Sequence, residues 1–117
     1  MAEFRTLTLA KIYYSLGSRH SLPSHLRDQF LRSSSSISLN LVEGNAKTSL
    51  RDRLRIFEIA YGSFRESQTI LEIAAIDNKE LLVTGDELGA NLYKLIQALK
   101  KKIEQQRHVD NAGAMKC

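Results

Sequence analysis

Tryptophan is absent from the 117 residues, cysteine and proline occur once each, and glycine occurs six times. The lone Cys117 excludes an internal disulfide framework and points to a reducing, cytoplasmic setting. One proline and few glycines leave little material for the repeated tight turns of an all-β chain. The longest wholly apolar run is the four residues from Ile73 to Ile76, far short of the ~20 that span a bilayer, so a membrane is not an expected partner. No charged-then-apolar secretion pattern is read at the start of the chain. What is present is ordinary for a globular domain: 43% hydrophobic and 26% charged residues, too apolar for disorder. Seventeen basic residues against thirteen acidic ones give a net charge of +4, which favours an anionic partner.

Apolar spacing reads as four helices. Phe4, Leu7, Leu9, Ala10, Ile12, Tyr13, Tyr14 and Leu16 fill a first segment too long for a typical strand, with Gly17 as its stop. Pro23 suits the opening turn of a second helix, along which Leu26, Phe30, Ile37 and Leu41 recur and which Gly44 closes. The serines at 33–36 lie within that periodicity, where small residues admit a close neighbour. The third helix is the most regular: Leu50, Leu54, Phe57, Tyr61, Phe64, Gln68, Leu71 and Ala75 alternate at spacings of four and three. A second stripe runs beside this seam through Ile56, Ile59, Ala60, Ser63, Ile70 and Ala74. Ser49 with Asp52 resembles a capping box at the helix start, and Thr84 with Glu87 repeats the pattern before a fourth helix after a connection at 77–83. Leu88, Leu92, Leu95, Ile96, Leu99 and Ile103 give that helix its apolar face. The fold expected is all-α, an antiparallel up-down-up-down four-helix bundle over residues 1–107, with residues 108–117 as a frayed tail.

The stretch Gln29-Phe30-Leu31-Arg32-Ser33-Ser34-Ser35-Ser36-Ile37-Ser38-Leu39-Asn40-Leu41-Val42-Glu43-Gly44 resembles the Q-x-x-R…S-I-x-x-N-[IL]-x-E-G pattern of a small bacterial family. Its members are four-helix bundle proteins encoded in intervening sequences of 23S ribosomal RNA genes. Ile59-Ala60-Tyr61-Gly62-Ser63-Phe64-Arg65-Glu66 is similar to the same family's I-A-x-G-S-x-x-E pattern. Leu31 stands where the family often has a second Arg, and Ser38 where Pro is common. The resemblance implies a left-handed bundle assembled into a pentameric ring, and little about activity. The accessory proteins of diversity-generating retroelements share the bundle and are associated with nucleic acid beside a reverse transcriptase; that likeness is one of fold alone.

Catalytic chemistry finds no constellation. His20, His25 and His108 do not follow Glu at the three-residue spacing of a di-iron bundle, and Glu104 with His108 reads as a surface pair. No residue near the serines at 33–36 could activate them, and the glycines form no phosphate loop. The expectation is a non-enzyme with no catalytic residues, no metal and no cofactor. Asn40, Glu43, Ser63 and Glu66 form a candidate polar cluster that either fixes helix or subunit pairing or lines a small-molecule site. Gly62 is read as a close-packing position, and Glu43 as pairing with Lys47 or a neighbouring subunit.

Charge carries the strongest functional lead. Lys47, Arg51, Arg53 and Arg55 against Asp52 give residues 45–56 a balance of +3. Lys94, Lys100, Lys101, Lys102 and Arg107 against Glu104 give residues 92–108 a balance of +4. Residues 76–91 are acidic, at −3. Up-down topology would put both basic segments at one end of the bundle. A helix dipole favours lysines near a C-terminus but not the three arginines near a start. Lys47, Arg51, Arg53, Arg55, Lys94, Lys100, Lys101 and Lys102 are therefore the candidate nucleic-acid contacts, for RNA or DNA. The alternative is a protein-interaction scaffold, for a partner such as a reverse transcriptase. Only Tyr93 sits beside these cations in sequence, so little base stacking is expected. Leu31, Leu39 and Val42, off the core face of the second helix, point with the double stripe of the third to a homo-oligomer.

Overall fold

The computed structural model describes residues 5–116, with side chains to 113; the readings placed on Phe4 and Cys117 lie outside them. The described residues form four helices and no strand: α1 (Arg5–Ser18), α2 (Ser24–Ala46), α3 (Leu50–Ile73) and α4 (Lys79–Lys116). Each helix packs on two others, in the cycle α1, α2, α3, α4 and back to α1, and the α2–α3 pairing is the most extensive. At ~1.5 Å per residue, the 14 residues of α1 cover about 21 Å, whereas the 38 of α4 cover about 57 Å. The bundle is accordingly slender, 63 Å long and 23 Å across, and α1 flanks less than half of α4.

The third helix buries what its spacing promises, and more. Phe57, Phe64 and Leu71 of the seam are buried, with Leu50, Leu54 and Tyr61 packed partly against the core. Ile56, Ala60 and Ile70 of the second stripe are also buried, so most of that stripe is used within the protomer and Ile59 alone of its large side chains stays exposed. Leu31 likewise packs on the core, whereas Leu39 and Val42 are 69% and 53% exposed.

Small residues set the helix spacing. A Cβ at Gly44 would come 2.7 Å from the Phe57 ring, so α2 and α3 meet there with nothing larger than hydrogen between them. Gly44 therefore lies inside α2 rather than closing it, and Gly17, read as a stop, is helical and sits under the Phe30 ring. At the end of α1 the Arg19 and His20 amides donate to the Leu16 and Gly17 carbonyls at 3.3 and 3.1 Å, and Arg27 of α2 donates to the Ser18 and His20 carbonyls at 3.2 and 3.4 Å. Gly62 overturns its reading: it is exposed, and a Cβ there would meet nothing within 4 Å. The serine run stays helical within the apolar periodicity, and its buried hydroxyls find acceptors in the helix itself, Ser33 and Ser34 donating to the Phe30 carbonyl at 3.3 and 2.6 Å.

Helix ends follow local chemistry. Ser49 Oγ accepts from the Asp52 amide at 3.3 Å, as a cap should. The start of α4 departs from expectation: Asn78 Oδ1 accepts from the Leu81 amide at 2.9 Å, and Thr84 is buried inside the helix. At its other end α4 continues to Lys116 through the segment read as a tail, with exposed side chains from Glu104 to Gly113. The end of α3 is a Schellman turn in which Ile76 N donates to Leu71 O and Ala75 N to Glu72 O, both at 3.0 Å. Ala75 occupies the left-handed position, φ 55°, that glycine usually takes.

Tyr13 ties α1 to the core. Its ring lies 5.9 Å from that of Phe30 and 5.8 Å from that of Phe64, tilted against both. Its hydroxyl meets Ser67 Oγ at 3.0 Å, and Ser67 donates to the Phe64 carbonyl at 2.7 Å, so the tyrosine proton is the one shared between the two hydroxyls. Burial pushes the Tyr13 phenol from 10.0 up to about 12.

Two stability predictions follow from these positions. Ala75→Gly should raise unfolding stability by about 1 kcal/mol by removing the left-handed Cβ strain. Gly62→Ala should raise it by about 0.5–1 kcal/mol as an exposed mid-helix replacement. Urea titration of each single variant checks both. An unfolded Tyr13 ionises near 10 while the folded one holds its proton to about 12. Its contribution is thus complete below pH 10 and lost as the pH rises through that window. Urea midpoints measured across it should fall more steeply for the wild type than for Tyr13→Phe, which has no proton to lose.

Candidate nucleic-acid interface

The basic residues come from two stretches of chain that the fold brings side by side. The start of α3 and the later turns of α4 share a recess of about 370 Å³, walled by Ser49 and Arg51 on one side and Ile103, Gln106, Arg107 and Asp110 on the other. Further along the same helix pair, Lys100 Nζ lies 3.8 Å from Glu58 of α3, both half exposed. Arg53 and Lys102 line a second, smaller recess with Asn45 of α2 and the apolar Phe57, Leu95 and Leu99.

These placements resolve the run of lysines into separate directions. Residues on a helix advance ~100° each, so Lys100 and Lys102 stand about 200° apart. Lys100 accordingly faces the α3–α4 seam and Lys102 the side toward the end of α2. Lys94, Lys101 and Arg55 are exposed. The cations therefore form a loose collar instead of one flat face, with Lys94 nearer the middle of α3, between the Gly89–Phe64 and Lys100–Glu58 contacts. Arg53 is partly committed to structure: one terminal nitrogen donates to the Lys47 carbonyl at 2.8 Å, clamping the α2–α3 connection, while its buried Nε has no hydrogen-bond partner. Lys47 itself is half-buried. The start of α4 carries the acidic counterpart, with Glu87 3.1 Å from Arg5, and Asp86 and Glu72 both lining a recess over Leu71 and Ile76.

The polar cluster forms in part. Ser36 Oγ and Ser63 Oγ meet at 3.0 Å across α2 and α3. Asn40 donates to the Ser36 carbonyl and hydroxyl at 2.8 and 2.9 Å. Ser36 is thus the link that joins Asn40 to Ser63, and sequence reading passed over it because it sits in a run of four serines. Glu43 and Glu66 are exposed, and neither takes part in an ion pair among the described residues; the pairing expected of Glu43 with Lys47 is not formed. Among the described residues no group of three or more His, Cys, Asp or Glu side chains is placed to hold a metal ion, and no helix is long and apolar enough to cross a membrane.

Three residues placed among these recesses are not among the contacts read from the sequence, although Tyr93 is named there as a lone aromatic beside Lys94. Arg107 was counted in the charge balance but not among the contacts, and it shares its recess with Arg51. Tyr61 and Tyr93 wall a recess of about 280 Å³ between α3 and α4, completed by Glu58, Ile96, Gln97 and Lys100. Tyr61 belongs by its spacing to the core seam, and Tyr93 stands seven residues before Lys100, two helical turns along one face.

No curated protein matches the chain. A family model described as 23S rRNA-intervening sequence protein matches residues 6–105, from the first turn of α1 to the last turn of α4 that touches the core. Both motif stretches, the Ser36–Asn40–Ser63 link and the first basic segment fall inside that span, the second basic segment reaches past it at Gln106, Arg107 and His108, and the chain belongs to the 23S rRNA-intervening sequence protein family.

Proposed function

We propose that this protein is a non-enzymatic, homo-oligomeric bundle that binds nucleic acid, RNA in first place, through the basic collar at one end. The observation that carries the reading is the shared recess of Arg51 and Arg107, residues 56 apart in sequence from two separately basic segments. The reading takes the helices as antiparallel, up-down-up-down. In its support, Gly44 lies under Phe57 while Ser36 bonds Ser63, and Gly89 lies under Phe64 while Lys100 pairs with Glu58, so position rises on one helix as it falls on the next. Lys and Arg contacts to phosphate position a strand without reading its bases, so recognition through the collar is largely independent of sequence.

Fluorescence anisotropy with a single-stranded RNA at about 50 mM salt tests the reading. Replacing Lys100, Lys101 and Lys102 together by Gln avoids setting a new carboxylate against Glu58. The half-exposed Lys100–Glu58 pair is worth ~0–1 kcal/mol at most, so the variant should keep its helicity. Affinity should fall for every sequence tried, and the slope of log affinity against log salt should shrink by about 2, at ~0.7 per lost contact to a single strand. Wild type and variant binding alike would overturn the proposal, as would a wild type that binds no nucleic acid and captures a protein partner on the same end.

Self-association rests on Leu39 and Val42, exposed three residues apart on α2, and on Ile59 of α3 at 45% exposure. The family resemblance favours a ring of five. Light scattering should give a multiple of the 13.2 kDa chain at micromolar concentration, and Leu39→Asp with Val42→Asp should reduce it to the monomer without loss of helicity. A wild-type monomer would sink this part of the reading.

A further inference from the structure

We propose that the recess between Tyr61 and Tyr93 seats one unpaired base of a nucleic-acid strand whose phosphates lie on the neighbouring lysines. The inference rests on the nucleic-acid reading above and deepens it, from a grip on the backbone to a preference for single strands.

The recess brings together two phenol rings from different helices in a chain with only 7% aromatic residues. Tyr61 is half-buried and held by Phe64, ring centres 6.2 Å apart, so it forms a fixed wall. Tyr93 is 57% exposed, a large flat surface that the protein's own core does not use. Ile96 supplies apolar lining, and Gln97 offers both a donor and an acceptor to the edge of a planar ligand. At about 280 Å³ the space lies at the small end for ligand pockets, suited to one ring system.

Glu58 decides which part of a nucleotide enters. Its carboxylate would repel a phosphate in the recess, whereas a base presents N–H donors that it can accept. Lys100 beside it neutralises part of that charge and faces outward at half exposure. Lys94, next to Tyr93, and Lys101, four residues on from Gln97, are exposed on the same stretch of α4. Cations therefore flank an aromatic slot, the combination by which single strands are held through stacking and backbone contacts together. A duplex keeps its bases stacked inside and can use the collar alone.

The test uses the full chain and a single-stranded RNA carrying a fluorescent purine analogue at a central position, with the matching duplex as comparison. Wild type should quench the analogue in the single strand and bind it more tightly than the duplex. Tyr93→Ala should abolish the quenching and weaken single-strand binding by about tenfold, with duplex affinity and salt slope unchanged. Tyr93→Phe, which keeps the ring, should behave as wild type. Circular dichroism and light scattering should match wild type for both variants. Equal losses on single strand and duplex, an unquenched analogue, or a change in oligomer size with Tyr93→Ala would each overturn the base seat. If Tyr93→Ala changes nothing while salt-sensitive binding persists, the base seat alone falls. If no nucleic acid binds at all, both readings fall together.

Discussion

The close approach of α2 and α3 is the constraint on which the remaining geometry depends. Gly44 leaves room for Phe57 and Ile56 at one level, and the Ser36–Ser63 hydroxyl contact holds the pair at another. Two such points fix the register of one helix on the other, because a shift of even one residue would drive the Phe57 ring into a side chain or break the Asn40–Ser36–Ser63 chain. The height of α3 beside α4 is held by Gly89 under the Phe64 ring and by Glu58 beside Lys100, which leaves Arg51 sharing a recess with Arg107. The motif residues of α2 and α3 thus act on the charged end without belonging to it. That separation explains how a polar cluster and a basic collar can coexist in a chain of 117 residues.

The helices were legible in the sequence wherever periodicity alone sets the answer. The seam through Phe57, Phe64 and Leu71 is buried as its spacing requires, and the serine run stays helical because the periodicity runs through it. Glycines misled the reading because their meaning depends on the neighbouring helix. Gly17 and Gly44 look like stops but are points of contact with Phe30 and Phe57, and Gly62 looks like a contact but faces open space. The start of α4 was displaced for a related reason: Thr84 and Glu87 match a capping pattern, yet Asn78 offers a carboxamide oxygen earlier and tertiary packing buries Thr84. The charge balance of each segment was legible, but its direction was not, since 100° per residue scatters three adjacent lysines around the helix. The Tyr61–Tyr93 recess was invisible because its two rings belong to different helices and only the register joins them.

Arg51, Arg53 and Arg55 stand at the start of a helix, where the dipole favours anions, and Asp52 alone among these four suits the position. Intramolecular pairing offsets little of this. Arg53 spends one donor on the Lys47 carbonyl, and among the described residues neither Arg51 nor Arg55 takes part in an ion pair. A phosphate placed there would meet both the guanidinium groups and the positive end of α3, two fields of the same sign. Asp52 and Asp110 stand against part of this charge, and the remainder is a cost in the free protein that an anionic ligand would relieve.

The recess around Asn45, Arg53 and Lys102 takes its lining from α2, α3 and α4. The described residues of α1 are anchored elsewhere, by Tyr13 among Phe30, Phe64 and Ser67. Phe57 joins the two environments: it is 2% exposed in the core and also lines that recess beside Arg53 and Lys102. On the nucleic-acid reading, electrostatics would draw a strand to the basic end and set its affinity. The aromatic slot on the α3–α4 seam would then distinguish a strand with free bases from one without, since attraction to phosphate alone carries no such information.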